Sequence, residues 1–283
     1  MLQDSPLPIA VLGATGGQGG AVINSLLDAG VPVRAVVRSP ASARVHELAT
    51  RGAQLAVADL TDGTGLTEAF TGTAGAFALT TPFEDGVSAE ITQGKAIIDA
   101  ATASELPYLV FSSVASADKH TGVPHFESKY EVEQLLAASS IAHTIVGPSY
   151  FYDNILGSRD ALAAGLLLMA MPTEKPLQQL SRADLGDFVA GLFANPSAYE
   201  GRRIDLASDE VTPGQMAAVL SSVTGHEVTA ESYDPERIES ADMRAMFGFL
   251  GSTGYDVNIG ALHDEFPAVG WQTFAEWAGK HLG

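Results

Sequence analysis

The chain has 283 residues, 46% of them hydrophobic, enough to bury a large core and suited to one large α/β domain or to a large and a small one. Its 34 acidic against 15 basic residues give a formal charge of −19, which repels nucleic acid backbones and anionic membranes, and no basic patch offsets it. The absence of cysteine removes disulfides, thiol nucleophiles and thiolate metal sites, and the longest apolar run, Ala161 to Met171, falls short of the ~20 residues a membrane helix needs.

These features describe a soluble, cytoplasmic globular protein that binds neither nucleic acid nor membrane directly. Met1 to Pro8 has no basic start and no apolar core, so it reads as a short disordered lead-in rather than a signal peptide. The first periodic segment is Ile9-Ala10-Val11-Leu12, an apolar run fit for a buried parallel strand. Gly13-Ala14-Thr15-Gly16-Gly17-Gln18-Gly19-Gly20 follows, and then a helical pattern with Val22, Ile23, Leu26 and Leu27 on one face. A strand, a glycine turn and a helix in that order form a dinucleotide site. Glycine permits backbone dihedrals that a side chain forbids and lets the chain approach a pyrophosphate, while the helix start offers unpaired N–H groups.

Val31 to Arg38 reads as the second strand, stopped by Ser39-Pro40. At the tip of this strand an acidic residue would bond a ribose 2′-hydroxyl, whereas an arginine accepts a 2′-phosphate. The tip carries Arg38 and no acid stands between Val31 and Arg44, which argues for NADP(H), with Arg44 as a second contact. An exposed strand-end arginine with no ligand is the bland alternative. Arg34 sits deeper on the same face and is not assigned.

Ala43 to Gly52 reads as a helix and Gln54 to Leu60 as a third strand, with Asp59 and Leu60 at its adenine-facing edge. Ala74 to Leu79 makes a fourth strand, and Thr80, Thr81 and Pro82, with Phe83 beyond them, are expected near the middle of the cofactor. A helix over residues 88–104 leads to a fifth strand at Tyr108 to Phe111, closed by Ser112-Ser113. The alternation is that of a parallel sheet with right-handed crossovers.

The next helix holds Pro124-His125-Phe126-Glu127-Ser128-Lys129-Tyr130, and it is the main candidate for chemistry. His125 and Lys129 are four apart and share a face. Lys129 is placed to bond the nicotinamide ribose and His125 to reach a substrate oxygen; a solvated Lys129 paired with Glu133 fits the spacing equally well. Ala142 to Pro148 makes a sixth strand. Tyr150, Phe151, Tyr152 and Asn154 then have the aromatic and polar mixture of a pocket lip. A helix entry at Ser181 to Asp187, a returning strand at Arg203 to Ala207, a capped helix from Thr212-Pro213 and an amphipathic end at Phe274 to Leu282 complete the chain.

Taken together, these motifs resemble the NmrA-like group of atypical short-chain dehydrogenases, a group that includes quinone oxidoreductases, triphenylmethane reductase relatives and NADP(H)-sensing regulators. The likeness rests on the glycine loop, Val33 to Pro40, Val110 to Val114, His125 to Lys129, Gly147 to Asn154, Ala183 to Gly186 and Gly254-Tyr255-Asp256. It implies an α/β fold: a Rossmann doubly wound parallel sheet over residues 1–150, completed by a returning segment near 176–208, and a smaller C-terminal α+β substrate domain over 151–283.

The implied cofactor contacts are Gly13, Thr15, Gly16, Gly17, Gln18, Gly19, Arg38, Asp59, Leu60, Thr80, Thr81, Pro82, Ser112, Lys129, Tyr150 and Phe151. Phe83, Tyr150, Tyr152 and Asn154 fall to the substrate, and Lys129 and His125 to catalysis. The wider superfamily places a tyrosine acid four residues before the lysine, where this chain has His125, and Gly147-Pro148 replaces an arginine-proline pair. Two functions follow: hydride transfer from NADPH to a quinone, enone or similar conjugated small molecule, or a non-catalytic NADP(H) sensor acting through a protein partner. A homodimer is compatible with either. The seven histidines show no H-x-x-x-H pair, so no metal is expected.

Overall fold

The computed structural model describes residues 6–283, so the first five residues of the expected lead-in lie outside the described part of the chain. Two compact units are built from interleaved segments, the first from Met1–Ser113, Ser128–Gly147 and Leu185–Ile204, the second from Val114–Glu127, Pro148–Asp184 and Asp205–Gly283. A single boundary near residue 150 does not describe this division, because one helix before that point and one strand after it each run from one unit into the other.

The first unit contains β1 (Ile9–Val11), α1 (Gly17–Asp28), β2 (Val33–Val37), α2 (Ala43–Thr50), β3 (Gln54–Val57), α3 (Leu66–Phe70), β4 (Gly75–Leu79), α4 (Val87–Ala103) and β5 (Leu109–Ser112). After these come α5 (Pro124–Ala137), whose first turn belongs to the second unit, and β6 (His143–Pro148). The strands β1 to β6 pair in parallel, and with one more strand they form a seven-stranded sheet. β1 and β5 are buried along their whole length, which is why both read as unbroken apolar runs rather than as alternating ones. β1 lies between β2 and β4, so the chain winds outward in opposite directions from it and leaves a crevice at the carboxyl ends of β1 and β4.

One face of the sheet packs Leu12, Val36, Leu66, Phe70, Ile97, Phe111 and Leu136 into a single cluster. Each such side chain contributes about 1.5–3 kcal/mol by leaving water. α4 and α5 approach closely at Gly94, where an added Cβ would stand 2.5 Å from Val132 Cγ2.

The second unit holds β7 (Tyr150–Phe151), α6 (Arg159–Ala163), β8 (Leu166–Met169) and β9 (Leu177–Leu180). The chain then enters α7 (Arg182–Ala194) and β10 (Arg203–Leu206), and β10 is the seventh strand, lying beside β6. Of the segment expected to return to this sheet, only β10 does so; β9 pairs instead with β7 and with β11 (Asp209–Val211) in a separate three-stranded sheet.

α8 (Pro213–Thr224) starts at a capping box in which Thr212 and Gln215 satisfy each other's backbone N–H groups. β12 (Thr229–Ser232) pairs with β8, and α9 (Ala241–Ser252), α10 (Ile259–Glu265) and α11 (Phe274–Leu282) follow. Phe274, Trp277 and Ala278 face the core of this unit with Tyr152, Leu167, Met216 and Leu220. Among the described residues no helix is long and apolar enough to cross a membrane.

The start of α1 lies against the end of β1, and Gly19 makes this approach possible: an added Cβ would stand 2.5 Å from Leu12 O and also overlap Gly13 O. Neither atom can yield, since both are backbone. Gly19→Ala is therefore expected to destabilise the fold by about 1–3 kcal/mol, the range of an overpacked core, as a lowered unfolding midpoint would report; Gly157→Ala, which meets open space, is the control.

Candidate active site

A cavity of about 270 Å3 opens at the crevice described above. It is lined by Gly13 to Gly16 after β1, by Val37 and Arg38 at the tip of β2, by Asp59 and Leu60 after β3, and by Thr80 and Thr81 after β4. Gly13 holds φ at +63°, and its carbonyl accepts the Gly16 N–H at 2.8 Å, which turns the chain into α1. Gly16 caps α1 with no side-chain bond, and the first turn carries no acid. The helix thus presents bare N–H groups and the positive end of its dipole, the arrangement that binds phosphate. Gln18, on the first turn, accepts a bond from Ser112 Oγ at 2.7 Å and ties α1 to β5.

Arg38 is 70% exposed at the cavity rim and pairs with Glu84 at 2.9 Å. Asp59 accepts from Thr61 through both its hydroxyl and its backbone N–H, which hold the Asp59 carboxyl below the usual carboxylate range, with the Arg38 charge adding to the effect. Arg34 donates to Ala69 O and Thr71 O and closes the end of α3, so its deeper place on β2 is a structural one. Pro82 is buried and is not part of the lining, and Phe83 is 68% exposed.

Lys129 is 8% exposed and does not pair with Glu133. Its Nζ donates to Glu90 Oε1 at 2.7 Å and to Thr80 O at 3.1 Å. Glu90 is fully buried; the same Oε1 accepts Thr80 Oγ1 at 2.9 Å and Oε2 accepts Ser128 Oγ at 2.5 Å. Glu133 is engaged elsewhere, by Arg203 Nε at 2.8 Å and by Ser113 Oγ. Gln93, one turn beyond Glu90, accepts the Thr81 N–H at 3.0 Å. The Thr80–Thr81 wall of the cavity is therefore held from behind by polar groups of α4 and α5.

The remaining predicted residues fall in the second unit. His125 is buried, and its Nδ1 meets both oxygens of Asp242 at 2.8 and 2.9 Å; Asp242 also accepts the His125 backbone N–H. Burial opposes the charge on Asp242, but the bonds and charge from His125 outweigh it and hold its pKa below the ordinary value. Burial pushes the Tyr150 hydroxyl up to about 12, partly offset by its bond to Asn154. Phe151 lies under the Arg182 guanidinium, 5.6 Å away. Tyr152 is a correction: it is fully buried, its ring packs against Phe274 and Trp277, and its hydroxyl donates to Gln272 O, so it is core and not a substrate contact.

Comparison with known proteins fits this geometry. A model of the NmrA-like family matches residues 7–278. The chain belongs to that family. An NmrA-like family domain-containing oxidoreductase, FrzB, of Cladobotryum sp is 31% identical to it over 284 residues, covering 87% of this chain and 84% of the relative. The NADPH-dependent quinone oxidoreductase QOR2 of Escherichia coli, complexed with NADPH, matches with a TM-score of 0.80 and 25% identity over 97% of this chain and 100% of that one. NmrA, a negative transcriptional regulator in complex with NADP, matches with a TM-score of 0.79 over 98% of this chain and 95% of its own. At 21% identity that last likeness is one of fold alone.

Within this NmrA-like chain, Glu84, Glu90, Gln93 and Asp242 were not singled out in the sequence. Glu90 had one signal, a carboxylate in the first turn of a helix, which ordinarily means an exposed residue facing the dipole. Asp242 had the same signal, in the first turn of α9, and nothing to link it to His125, 117 residues away. Among the described residues no cluster of His, Asp and Glu could hold a metal ion.

The folded-state pKa of Asp242 lies below its ordinary value of 3.8, so its stabilising contribution is complete above 3.8 and is lost as the pH falls through the folded value. The stability difference between the unmodified chain and Asp242→Asn should accordingly shrink on acidification below about pH 4, measured by urea unfolding across that range.

Proposed function

We propose that this chain is an NADPH-dependent oxidoreductase that reduces a conjugated small molecule, such as a quinone or an enone. The cavity at the carboxyl edge of β1, β2 and β4 supports the reading: Gly13 and Gly16 line it, it opens beside the bare start of α1, and Arg38 stands at its rim. Bound NADPH supplies a hydride from the nicotinamide C4. The chain's own groups bind, orient and protonate.

The α1 N–H groups hold the pyrophosphate, with Gly13, Thr15, Gly16, Gly17, Gln18 and Gly19 shaping the turn. Arg38 leaves Glu84 to take the 2′-phosphate. Asp59 and Leu60 flank the adenine, Thr80 and Thr81 line the middle, and Lys129 bonds the nicotinamide ribose. His125, in its doubly protonated form, donates from Nε2 the proton that the reduced oxygen needs, while Asp242 accepts its Nδ1–H and holds the ring. Tyr150 and Asn154 hold the acceptor. A quinone or enone spreads the incoming charge over its conjugated system, so a tyrosine acid is not required, whereas a simple ketone would need one.

Turnover is expected with quinones or enones and not with simple aldehydes, followed by loss of reduced-nicotinamide absorbance. Tight NADPH binding without turnover on any acceptor would leave the sensor reading instead. Arg38→Ala should weaken NADPH about tenfold and leave NADH unchanged, the loss of one charge-assisted bond at an exposed site. Glu84→Gln should tighten NADPH by no more than about fivefold, since surface ion pairs contribute about 0–1 kcal/mol. Equal affinities for NADPH and NADH in the unmodified chain would remove Arg38 from the 2′-phosphate.

A further inference from the structure

The Glu90 carboxylate has no contact with water, and its partners are Lys129, Thr80 and Ser128. Burying an ion pair takes about as much free energy in desolvation as the pairing returns, and apolar residues of the same size generally serve stability as well or better. Stability alone therefore does not account for this pair. Its geometry does, because one oxygen of Glu90 binds the Lys129 ammonium and the Thr80 hydroxyl together, while Lys129 also holds the Thr80 carbonyl. Thr80 lines the cavity.

We propose that Glu90 is the positioning residue of this site, a buried carboxylate that fixes Lys129 and the Thr80–Thr81 wall as one rigid group against the cofactor. An ammonium has three N–H donors. Glu90 and Thr80 take two, and the Lys129 side chain keeps 10% of its surface exposed, so one donor remains for a ribose hydroxyl. Glu90 touches neither cofactor nor acceptor and acts through Lys129. The inference rests on reading the cavity as the NADPH site.

The test is a mutant cycle of Glu90→Gln, Lys129→Met and the double variant, read by NADPH dissociation constant, by kcat and KM on a quinone, and by the unfolding midpoint of the cofactor-free chain. Glu90→Gln is expected to weaken NADPH and lower kcat by about tenfold or more, the loss of a charged bond in a buried place, with KM for the quinone unchanged. Lys129→Met leaves the Glu90 charge buried without its cation and should have the lowest midpoint. The double variant should recover the midpoint and yet bind NADPH no worse than Lys129→Met alone. Losses in affinity that add across the cycle, or a folded Glu90→Gln with unchanged affinity and kcat, would overturn the assignment.

Should Glu90→Gln not fold, Ser128→Ala removes the bond at Oε2, leaves the Glu90–Lys129 pair in place and favours the helix. It should weaken NADPH about threefold, part of one hydrogen bond's contribution, and an unchanged affinity would equally overturn the proposal. An unmodified chain that binds no NADPH at all fails the functional reading itself, a result separate from any within the cycle.

Discussion

The architecture of the first unit depends on how closely a helix can lie against the strand that precedes it. α1 begins on the backbone of Leu12 and Gly13, and the contact exists because Gly19 has no Cβ. From it follow the bare helix start, its aim at the crevice and the position of the neighbouring strand tips from which Arg38 and Thr80 project. A side chain at this one position would separate α1 from β1 and remove the phosphate cradle, whatever the chemistry of the surrounding residues.

Around that cradle the polar groups work in two different dielectric regimes. Arg38 and Glu84 are exposed, so their pairing is weak and exchangeable, as a contact that must give way to a ligand should be. Glu90 and Lys129 are buried, as are Glu133 and its bond to Arg203, and there a charge that loses its partner is left stranded. In the proposed site, recognition thus sits on groups that can move cheaply, and geometry on groups held in place by burial.

Much of this was legible in the sequence, for physical reasons that differ by residue. The inner strands β1 and β5 are buried along their whole length and had to be apolar, and the turn after β1 had to be glycine. The doubly wound sheet followed from those features, and the family from the order of motifs that runs from the glycine loop to Gly254-Tyr255-Asp256. What failed to show was anything decided by a partner distant in sequence. Lys129 and Glu133 had ideal helical spacing, yet Glu133 is held by Arg203, 70 residues away, and Lys129 by Glu90. Tyr152 looked amphipathic beside Tyr150, but its ring is large enough to serve a core, and a single backbone carbonyl satisfies its hydroxyl. The interleaving of the two units was hidden because α5 and β10 carry no local mark of the change from one to the other.

Gly94 gives the contact of α4 with α5 a further meaning. It faces Val132, and one turn earlier on each helix stand Glu90 and Ser128, which are bonded at 2.5 Å. In an ordinary helix, replacing glycine by alanine gains up to about 1 kcal/mol. Here the added methyl would act as a spacer, widening the gap that Glu90 has to bridge. The distance between two helices is in this way written into a residue with no side chain, and a search for thermal stability that filled it would lengthen the reach from carboxylate to lysine while touching no polar group.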